Sequence, residues 1–376
     1  MSLLTENKTS VFQRILSLNW PLISLIFLLS VIGIFMLYSA AGGVFKPWLL
    51  KQIIYFAIFF PVMIVIAVID IRFWFNTSYL AYFLGVTLLI IVSIKGYNSM
   101  GATRWFKIAG ITIQPSEITK LFTVLALAKY FYNLEADNIE KSRYVILPII
   151  IIALPALLII DQPDLGTAII LVLAGVSVLF MAGVKAWKFI AGGISALIAI
   201  PFLWYFVLYD YQKNRILTFL YPDSDPTGAG YNITQSKIAI GSGGFFGKGY
   251  LGGTQGQLDF LPERQTDFIF TMLTEELGFI GGVGVLLLYL AIIYLGTAIS
   301  LRSKHQFGKL LAIGVVNIFF LHMFVNMGMV MGLLPVVGTP LPLISYGGTI
   351  TATMLISFGL LLNVDLYRNT EVKSNI

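Results

Sequence analysis

The segment from Trp20 to Ala40 reads WPLISLIFLLSVIGIFMLYSA and contains no charged side chain. About 20 predominantly apolar residues are enough for an α-helix to cross the hydrocarbon core of a bilayer. A cleavable secretory signal has a shorter apolar region, followed by a cleavage site of small residues. The segment therefore predicts a transmembrane helix that stays in the protein.

The chain as a whole is also strongly apolar. Hydrophobic residues make up 58% and charged residues 11% of its 376 positions, whereas a soluble domain carries about 25% charged residues. We therefore predict an all-α, polytopic integral membrane protein with about ten transmembrane helices, forming a single domain over residues 1–376. A large extracytoplasmic loop, at about 209–267, precedes the eighth helix. The predicted spans are 18–41, 48–69, 78–95, 114–133, 144–160, 166–184, 186–208, 268–300, 307–332 and 343–364.

The distribution of Lys and Arg predicts the orientation of these helices. The short connections at 161–165 and 333–342 contain no Lys or Arg, whereas the connections at the opposite face contain several. Because cytoplasmic loops are enriched in these residues, both termini are predicted to be cytoplasmic. The net charge of +6 is spread over many loops. Such a distribution suits contact with anionic lipid headgroups and argues against nucleic acid, which needs a clustered basic patch.

One turn of the chain contains candidate ligands for a metal ion. The chain has no cysteine and only two histidines, which excludes thiolate chemistry and argues against a His-rich metal centre. Asp161 and Asp164 lie in the turn between the fifth and sixth predicted helices. Asp164 could simply cap the sixth helix. Alternatively, the two carboxylates could help to bind a divalent cation such as Mg²⁺ or Mn²⁺, which prefers oxygen ligands.

A pair of opposite charges lies near the start of the fourth predicted helix. Glu117 and Lys120 are three positions apart, so they share one helix face. They could form a local ion pair that lowers the cost of insertion into the membrane. They could also form a polar site inside the bundle, because ionisable groups within a membrane usually mark functional sites.

The long predicted loop combines cations with glycines. Arg215, Lys237, Lys248 and Arg264 are distributed around the glycine-rich stretch 241–249. Glycines allow close approach of the backbone, so their N–H groups can bind an anion such as a pyrophosphate. The loop could instead be held in place by its own aromatic residues, or it could become ordered only when a partner protein binds.

Asp267 lies at the outer end of the eighth predicted helix. A carboxylate at this position could cap the helix, where the helix dipole favours negative charge. Alternatively, an Asp at an apolar boundary has its pKa raised by desolvation and can serve as a general base.

Taken together, these motifs resemble the SEDS family (shape, elongation, division and sporulation), over roughly residues 15–370. Five motifs occur in the family's order, and Pro262-Glu263-Arg264 together with the short tails favours the members that act in cell elongation. The motifs are GATRWFKIAGITIQPSEITK (101–120), DQPDLGT (161–167), IAIGSGGFFGKGYLGGTQ (238–255), LPERQTDFIFTMLTEELG (261–278) and GLLPVVGTPLPLISYGG (332–348).

The resemblance implies a peptidoglycan glycosyltransferase that polymerises lipid II into β-1,4-linked glycan strands at the outer membrane face. The family's essential aspartate corresponds to Asp267, and its intramembrane acid–base pair to Glu117 and Lys120. Arg104 and Trp105 are implied substrate-binding residues. The other candidate substrate-binding residues are the four loop cations that could stabilise the charge of the departing pyrophosphate, namely Arg215, Lys237, Lys248 and Arg264. Many relatives have His where this chain has Gln265, so a scheme that needs an imidazole at that position does not transfer.

The resemblance also implies partners. These are lipid II and the undecaprenyl-pyrophosphate-linked glycan, a class B penicillin-binding protein as the transpeptidase, and other membrane proteins of the elongation machinery. A flippase for lipid-linked precursors and a non-catalytic scaffold are the alternative functions. A flippase should carry polar residues across the full depth of the bilayer, whereas here they concentrate in the outer half. This distribution favours an enzyme.

Overall fold

The protein is described by a computed structural model that covers residues 10–99, 102–108, 111–135, 139–206, 208–221, 225, 228–258 and 260–371. Both predicted cytoplasmic tails end outside these ranges. The helices are α1 (Val11–Leu16), α2 (Trp20–Ala40), α3 (Trp48–Val68), α4 (Ile71–Lys95), α5 (Pro115–Tyr132), α6 (Arg143–Asp161), α7 (Leu165–Met181), α8 (Ala186–Phe206), α9 (Asp210–Leu220), α10 (Ala229–Ser242), α11 (Thr254–Gln257), α12 (Ile269–Arg302), α13 (Gln306–Val330) and α14 (Gly348–Leu366).

The predicted multi-pass helical architecture is confirmed. Each of the ten predicted spans coincides with a helix, and eight of these helices are long and apolar enough to cross a membrane. Two predicted spans remain. One of them is α7, which is apolar but has only 17 residues. The other is α5, which contains Glu117, Lys120 and Lys129 and lies outside the set of eight apolar helices. The total of ten membrane crossings therefore stays a prediction.

The predicted start of the third span is wrong. The third predicted span begins at residue 78, whereas α4 begins at Ile71. The first turn of α4 contains Arg72, which interrupts the apolar run, but the helix is started by Asp70. The carboxylate of Asp70 accepts a hydrogen bond from the backbone N–H of Arg72 at 2.8 Å. A side-chain cap of this kind stabilises a helix start whatever the hydropathy of the first turn.

A small antiparallel sheet, which an all-α prediction did not anticipate, joins α4 to α5. It consists of β1 (Tyr97–Ser99), β2 (Ala102–Ile108) and β3 (Ile111–Ile113), in the order β1-β2-β3. Phe106 in β2 is paired with Ile113 in β3. Aromatic and β-branched residues favour strands, and this connection is rich in them. The sheet brings β2 to the start of α5.

The predicted extracytoplasmic loop is largely helical in its described part, because it contains α9, α10 and α11. Ser236 anchors α10 to the bundle. Its buried hydroxyl lies 2.7 Å from the hydroxyl of Thr271 and donates to the carbonyl of Val330 at 2.7 Å. These contacts hold α10 against α12 and α13.

The glycine-rich stretch 241–249 packs against a break in α12 at Gly278, where φ is 67°. The N–H groups of Lys248 and Gly249 donate to the carbonyls of Glu275 and Glu276, both at 3.0 Å. A Cβ atom on Gly247 would lie 2.1 Å from the carbonyl oxygen of Glu276. The expectation that these glycines bind an anion is therefore wrong, since their close approach serves contacts between two backbones.

The helices differ in how much surface they expose. The most apolar stretches of α13 and α14 are 72% buried, so these two helices form the centre of the bundle. The described residues of α8 contain no buried position, which places α8 at the periphery. Because α13 lies at the centre, polar side chains near its C-terminal end face other protein groups.

Candidate active site

Two cavities lie near the start of α12. The larger has a volume of about 460 Å³ and no charged side chain in its lining. It is lined mainly by apolar residues of α10, α12, α13 and the segment after α13, among them Phe270, Met327 and Leu334. The smaller has a volume of about 290 Å³ and is lined by charged and polar residues. Because glycosyl transfer needs groups that exchange protons and bind charge, the smaller cavity is the candidate site. We call it the polar cavity.

Asp267 lies in the wall of the polar cavity, directly before α12. Its backbone is fixed by α13, because the amide of Asn326 donates to the carbonyl of Asp267 at 2.8 Å. The hydroxyl of Ser345 donates to the carbonyl of the preceding Thr266 at 2.6 Å. The N-cap of α12 is Phe268, and no side chain caps the helix. Asp267 is therefore not a helix cap, and its carboxylate faces the cavity.

The carboxyl group of Asp267 has a strongly altered acidity. Its pKa is raised from the usual 3.8 to about 7. Burial is the largest cause, because it penalises the charged form, and the neighbouring carboxylate of Glu263 is the second. Arg215 and Arg104 oppose the shift, which places both cations within electrostatic reach of Asp267. A carboxyl group with this pKa can accept a proton at neutral pH.

Arg104 and Trp105 of β2 also line the polar cavity. The guanidinium of Arg104 lies 3.6 Å from the buried carboxylate of Asp164. Asp164 itself accepts hydrogen bonds from the amide of Gln114 at 2.7 Å and the hydroxyl of Thr167 at 2.9 Å. This arrangement fixes Arg104 at the mouth of the cavity.

In the turn that carries Asp161 and Asp164, the two carboxylates contact different partners. Asp164 caps α7, as one of the two interpretations expected, because it accepts from the backbone N–H of Thr167 at 3.3 Å. Asp161 is exposed and accepts from Ser93 at 3.1 Å. Among the described residues, no group of three His, Cys, Asp or Glu could hold a metal ion. Binding of Mg²⁺ or Mn²⁺ at this turn stays a prediction, because one or two carboxylates together with substrate phosphates can hold such an ion.

Glu117, which lines the polar cavity, forms an ion pair with Lys120. The ammonium of Lys120 lies 2.8 Å from Oε1 of Glu117, and both side chains are buried. The ammonium also lies 2.6 Å from Nε2 of His322 in α13. His322 was missed because its distance in the sequence from the other motifs suggested no role. An isolated imidazole in an apolar span was the signal, since such residues usually contact other polar groups.

The four cations predicted to serve the substrate do not act together. Arg215 is close enough to Asp267 to influence the acidity of its carboxyl group, whereas the contacts described for the other three lie elsewhere in the chain. Lys248 binds the buried carboxylate of Glu275 at 2.7 Å. Arg264 donates to the carbonyls of Ala40 at 2.8 Å and Gly256 at 2.5 Å. Lys237 packs beside Gly332.

Fold and site together define a multi-pass membrane protein with a charged cavity at one end of its helical bundle. A family model described as "Cell cycle protein", which carries the names FtsW, RodA and SpoVE, matches residues 19–370. The chain belongs to this family.

Individual relatives cover nearly the whole chain. Peptidoglycan glycosyltransferase MrdB of Escherichia coli K12 is 40% identical over 98% of this chain and 98% of its own length. Stage V sporulation protein E of Bacillus subtilis is 37% identical over 92% of this chain and 96% of its own length.

Solved structures show the same fold. A structure that describes the coordination of polymerization and crosslinking by a peptidoglycan synthase complex is 28% identical, with a TM-score of 0.84, and covers 95% of this chain and 100% of the matched chain. The rod shape determining protein RodA of Thermus thermophilus is 27% identical, with a TM-score of 0.72, and covers 95% of this chain and 99% of its own.

Proposed function

We propose that Asp267 is the general base with which this chain, a peptidoglycan glycosyltransferase of cell wall synthesis, polymerises lipid II into β-1,4-linked glycan strands. The activity follows from the family and from relatives named peptidoglycan glycosyltransferases. The observation that supports the role of Asp267 is its carboxyl group, whose pKa is about 7 and which lines the same cavity as Arg104 and Trp105.

The residues of the cavity suit an inverting displacement. Forming a β-linkage from an α-linked lipid pyrophosphate needs a base that takes the proton of the acceptor hydroxyl. It also needs positive charge for the departing pyrophosphate, and stabilising developing charge is usually a large part of catalysis. Asp267 supplies the base, and Arg104 and Arg215 supply the positive charge. Trp105 offers an apolar face to the sugar.

The proposal is tested with purified protein and lipid II, followed by separation of glycan products on a gel. Polymer above the size of lipid II supports it. Movement of lipid II across a vesicle membrane without any polymer would support the flippase alternative instead. If the protein neither polymerises lipid II nor moves it across the membrane, the non-catalytic scaffold is the function that remains.

The pH dependence of the rate provides a second test. Because a general base acts in its ionised form, we expect the rate to rise about tenfold per pH unit below about pH 6 and to level off above about pH 8. The Glu263→Gln variant should shift the midpoint to lower pH, since Glu263 raises the pKa of Asp267. Initial rates measured across this range check the prediction, and a midpoint that does not move in this variant contradicts it.

The same shift in pKa affects stability. The folded state holds the proton of Asp267 more tightly than the unfolded state, whose pKa is close to 3.8. The resulting stabilisation is present below that value and is lost as the pH rises to about 7. In the variant Asp267→Asn, residue 267 cannot ionise. Above pH 7 this variant should therefore melt at the same temperature as the wild type or at a higher one.

We also propose that the site faces the outside of the cell and that both termini are cytoplasmic. The chain contains no native cysteine, so a single introduced cysteine gives an unambiguous signal. A membrane-impermeant thiol reagent should label Phe246→Cys in intact cells and should label Glu140→Cys only after lysis. Both positions are exposed, so accessibility within the protein is matched. Labelling at position 140 in intact cells would reverse the orientation.

The proposed protein partner is a class B penicillin-binding protein that crosslinks the new strands. Support comes from the similar solved structure, which concerns the coordination of polymerization and crosslinking in a synthase complex. Ser236 already anchors the loop helix α10 to α12 and α13. A partner would therefore change the rate through the position of an ordered loop, and the polymerisation assay with and without the partner measures this effect.

A further inference from the structure

Three consecutive backbone carbonyls just before α12, those of residues 265–267, each accept a hydrogen bond from a distant part of the chain. The first accepts from the backbone N–H of Tyr346 at 2.8 Å. The second accepts from the hydroxyl of Ser345 at 2.6 Å. The third, which belongs to Asp267 itself, accepts from the amide of Asn326 at 2.8 Å. We call these three donors the carbonyl clamp.

The two side chains of the carbonyl clamp are each oriented by a second contact. The hydroxyl of Ser345 accepts from the backbone N–H of Leu341 at 2.7 Å, so its own proton is left for the clamp. The amide of Asn326 also donates to the carbonyl of Thr339 at 2.7 Å. Both contacts of this amide need its nitrogen, because its oxygen has no proton to donate. Each donor therefore points at a fixed carbonyl.

The carboxylate of Asp267 meets the same segment of the chain. A Cβ atom on Gly338 would lie 3.2 Å from Oδ2 of Asp267, so the carboxylate packs beside the backbone of Gly338. The next residue, Thr339, shares the amide of Asn326 with Asp267. The backbone and the side chain of Asp267 are thus located by one segment, residues 338–346.

The helix itself contributes little to the position of Asp267. Asp267 lies two residues before Ile269, where α12 begins, and no side chain among the described residues caps this start. Asn326 and Ser345 are fully buried. In the part of the chain that the structure describes, both lie outside the lining of the polar cavity. They are therefore placed to hold Asp267 and not to touch a substrate.

We infer that Asn326 and Ser345 are positioning residues, which hold the carboxylate of Asp267 at the depth where it meets the acceptor hydroxyl. The inference rests on the proposed function of Asp267 as the general base. Such precision matters because a misplacement of about 1 Å can cost about 10²-fold in rate. The clamp also keeps the carboxyl group buried, so its release should lower the pKa of Asp267 towards the usual 3.8.

The variant Asn326→Leu tests the inference, because leucine resembles asparagine in shape and donates no hydrogen bond. With purified protein and lipid II, kcat and kcat/KM should both fall by about 10²-fold, with KM unchanged, since the loss affects the transition state. The midpoint of the pH–rate profile should move to lower pH. The charged and titratable groups around Asp267 are the same in the variant, namely Glu263, Arg215, Arg104, Asp164, Glu117 and His322.

Asn363→Leu provides a matched control. Asn363 in α14 is also buried, and its amide donates to backbone carbonyls at the end of α3, among them that of Ala67 at 3.0 Å. Its replacement should lower the melting temperature, as the replacement of Asn326 does, because buried carbonyls lose their donors. Both kcat and the midpoint of the pH–rate profile should stay at their wild-type values.

Ser345→Ala provides a second test if Asn326→Leu does not fold. It removes one hydrogen bond of the carbonyl clamp, so kcat should fall about fivefold and the midpoint should move in the same direction. Ser357→Ala is its control, because the buried hydroxyl of Ser357 donates within α14 at 2.7 Å. This control should match the wild type in kcat and in midpoint.

The results separate a positioning role from a purely structural one. Wild-type kcat and midpoint in the clamp variants, or equal changes in these variants and their controls, would overturn the inference. Asp267→Asn, measured in parallel, tests the proposed function separately. A wild-type rate in Asp267→Asn would overturn that function, whereas an inactive Asp267→Asn beside wild-type clamp variants would overturn the positioning role alone.

Discussion

Replacing Asp267 with Asn is expected to reduce the rate of glycan polymerisation by about 10²–10⁴-fold, the usual contribution of a general base. Asparagine has nearly the same size and keeps the backbone hydrogen bond from Asn326, which is made to the carbonyl oxygen of residue 267. Folding and membrane insertion should therefore survive. Product gels with purified protein and lipid II measure the loss of activity.

A matched control is available in Asp161→Asn. Asp161 is also a carboxylate at a helix end, but it is exposed and lies outside the polar cavity. This variant should polymerise lipid II at close to the wild-type rate. Wild-type-like polymer from Asp267→Asn would remove Asp267 from the reaction, and an equal loss in both variants would point to a general effect of charge.

Removing one partner of the Glu117–Lys120 pair should destabilise the protein by about 3–5 kcal/mol, because it leaves a buried charge without compensation. Glu117→Gln strands the ammonium of Lys120, and Lys120→Met strands the carboxylate of Glu117. The double variant Glu117→Lys with Lys120→Glu keeps both charges on the same helix face and should recover part of the stability. The melting temperatures of the variants in detergent rank their stabilities.

The exposed pair Lys185–Glu140, with 2.6 Å between its charged atoms, provides the comparison. An ion pair in solvent contributes at most about 1 kcal/mol, so the same set of changes there should hardly alter the melting temperature. If the three Glu117 and Lys120 variants melt alike, the two side chains do not act as a pair. His322 sets a limit on the recovery, because after the swap its Nε2 faces a carboxylate instead of an ammonium.

Hydropathy predicted the bundle because every helix that crosses the lipid must be apolar along its length. The segment around Trp20 to Ala40 satisfies that demand along its whole length, and α2 occupies these residues. The sheet at 97–113 and the helices within 209–267 do not face the same demand. Their structure depends on contacts with distant residues, such as that of Ser236 with Val330, which a local pattern does not contain.

The sequence identified the polar cavity only in part. Asp267, Glu117 and Lys120 stand out because charge in an apolar stretch needs a reason. Lys237, Lys248 and Arg264 were grouped with Arg215 because they share one loop, but folding points them to different partners. Glu275, which binds Lys248, belongs to the membrane helix α12. No property of the loop alone indicates that contact.

The contact between Lys120 and His322 joins residues that are 202 positions apart, and this separation has a consequence for how the protein is made. At a synthesis rate of about 5–20 residues per second, α5 leaves the ribosome roughly 10–40 seconds before His322. During that time the ion pair with Glu117, within the same helix, compensates the positive charge of Lys120. We therefore expect α5 to settle into the bilayer late, after α13 arrives, so that a chain truncated before residue 306 would insert this span poorly.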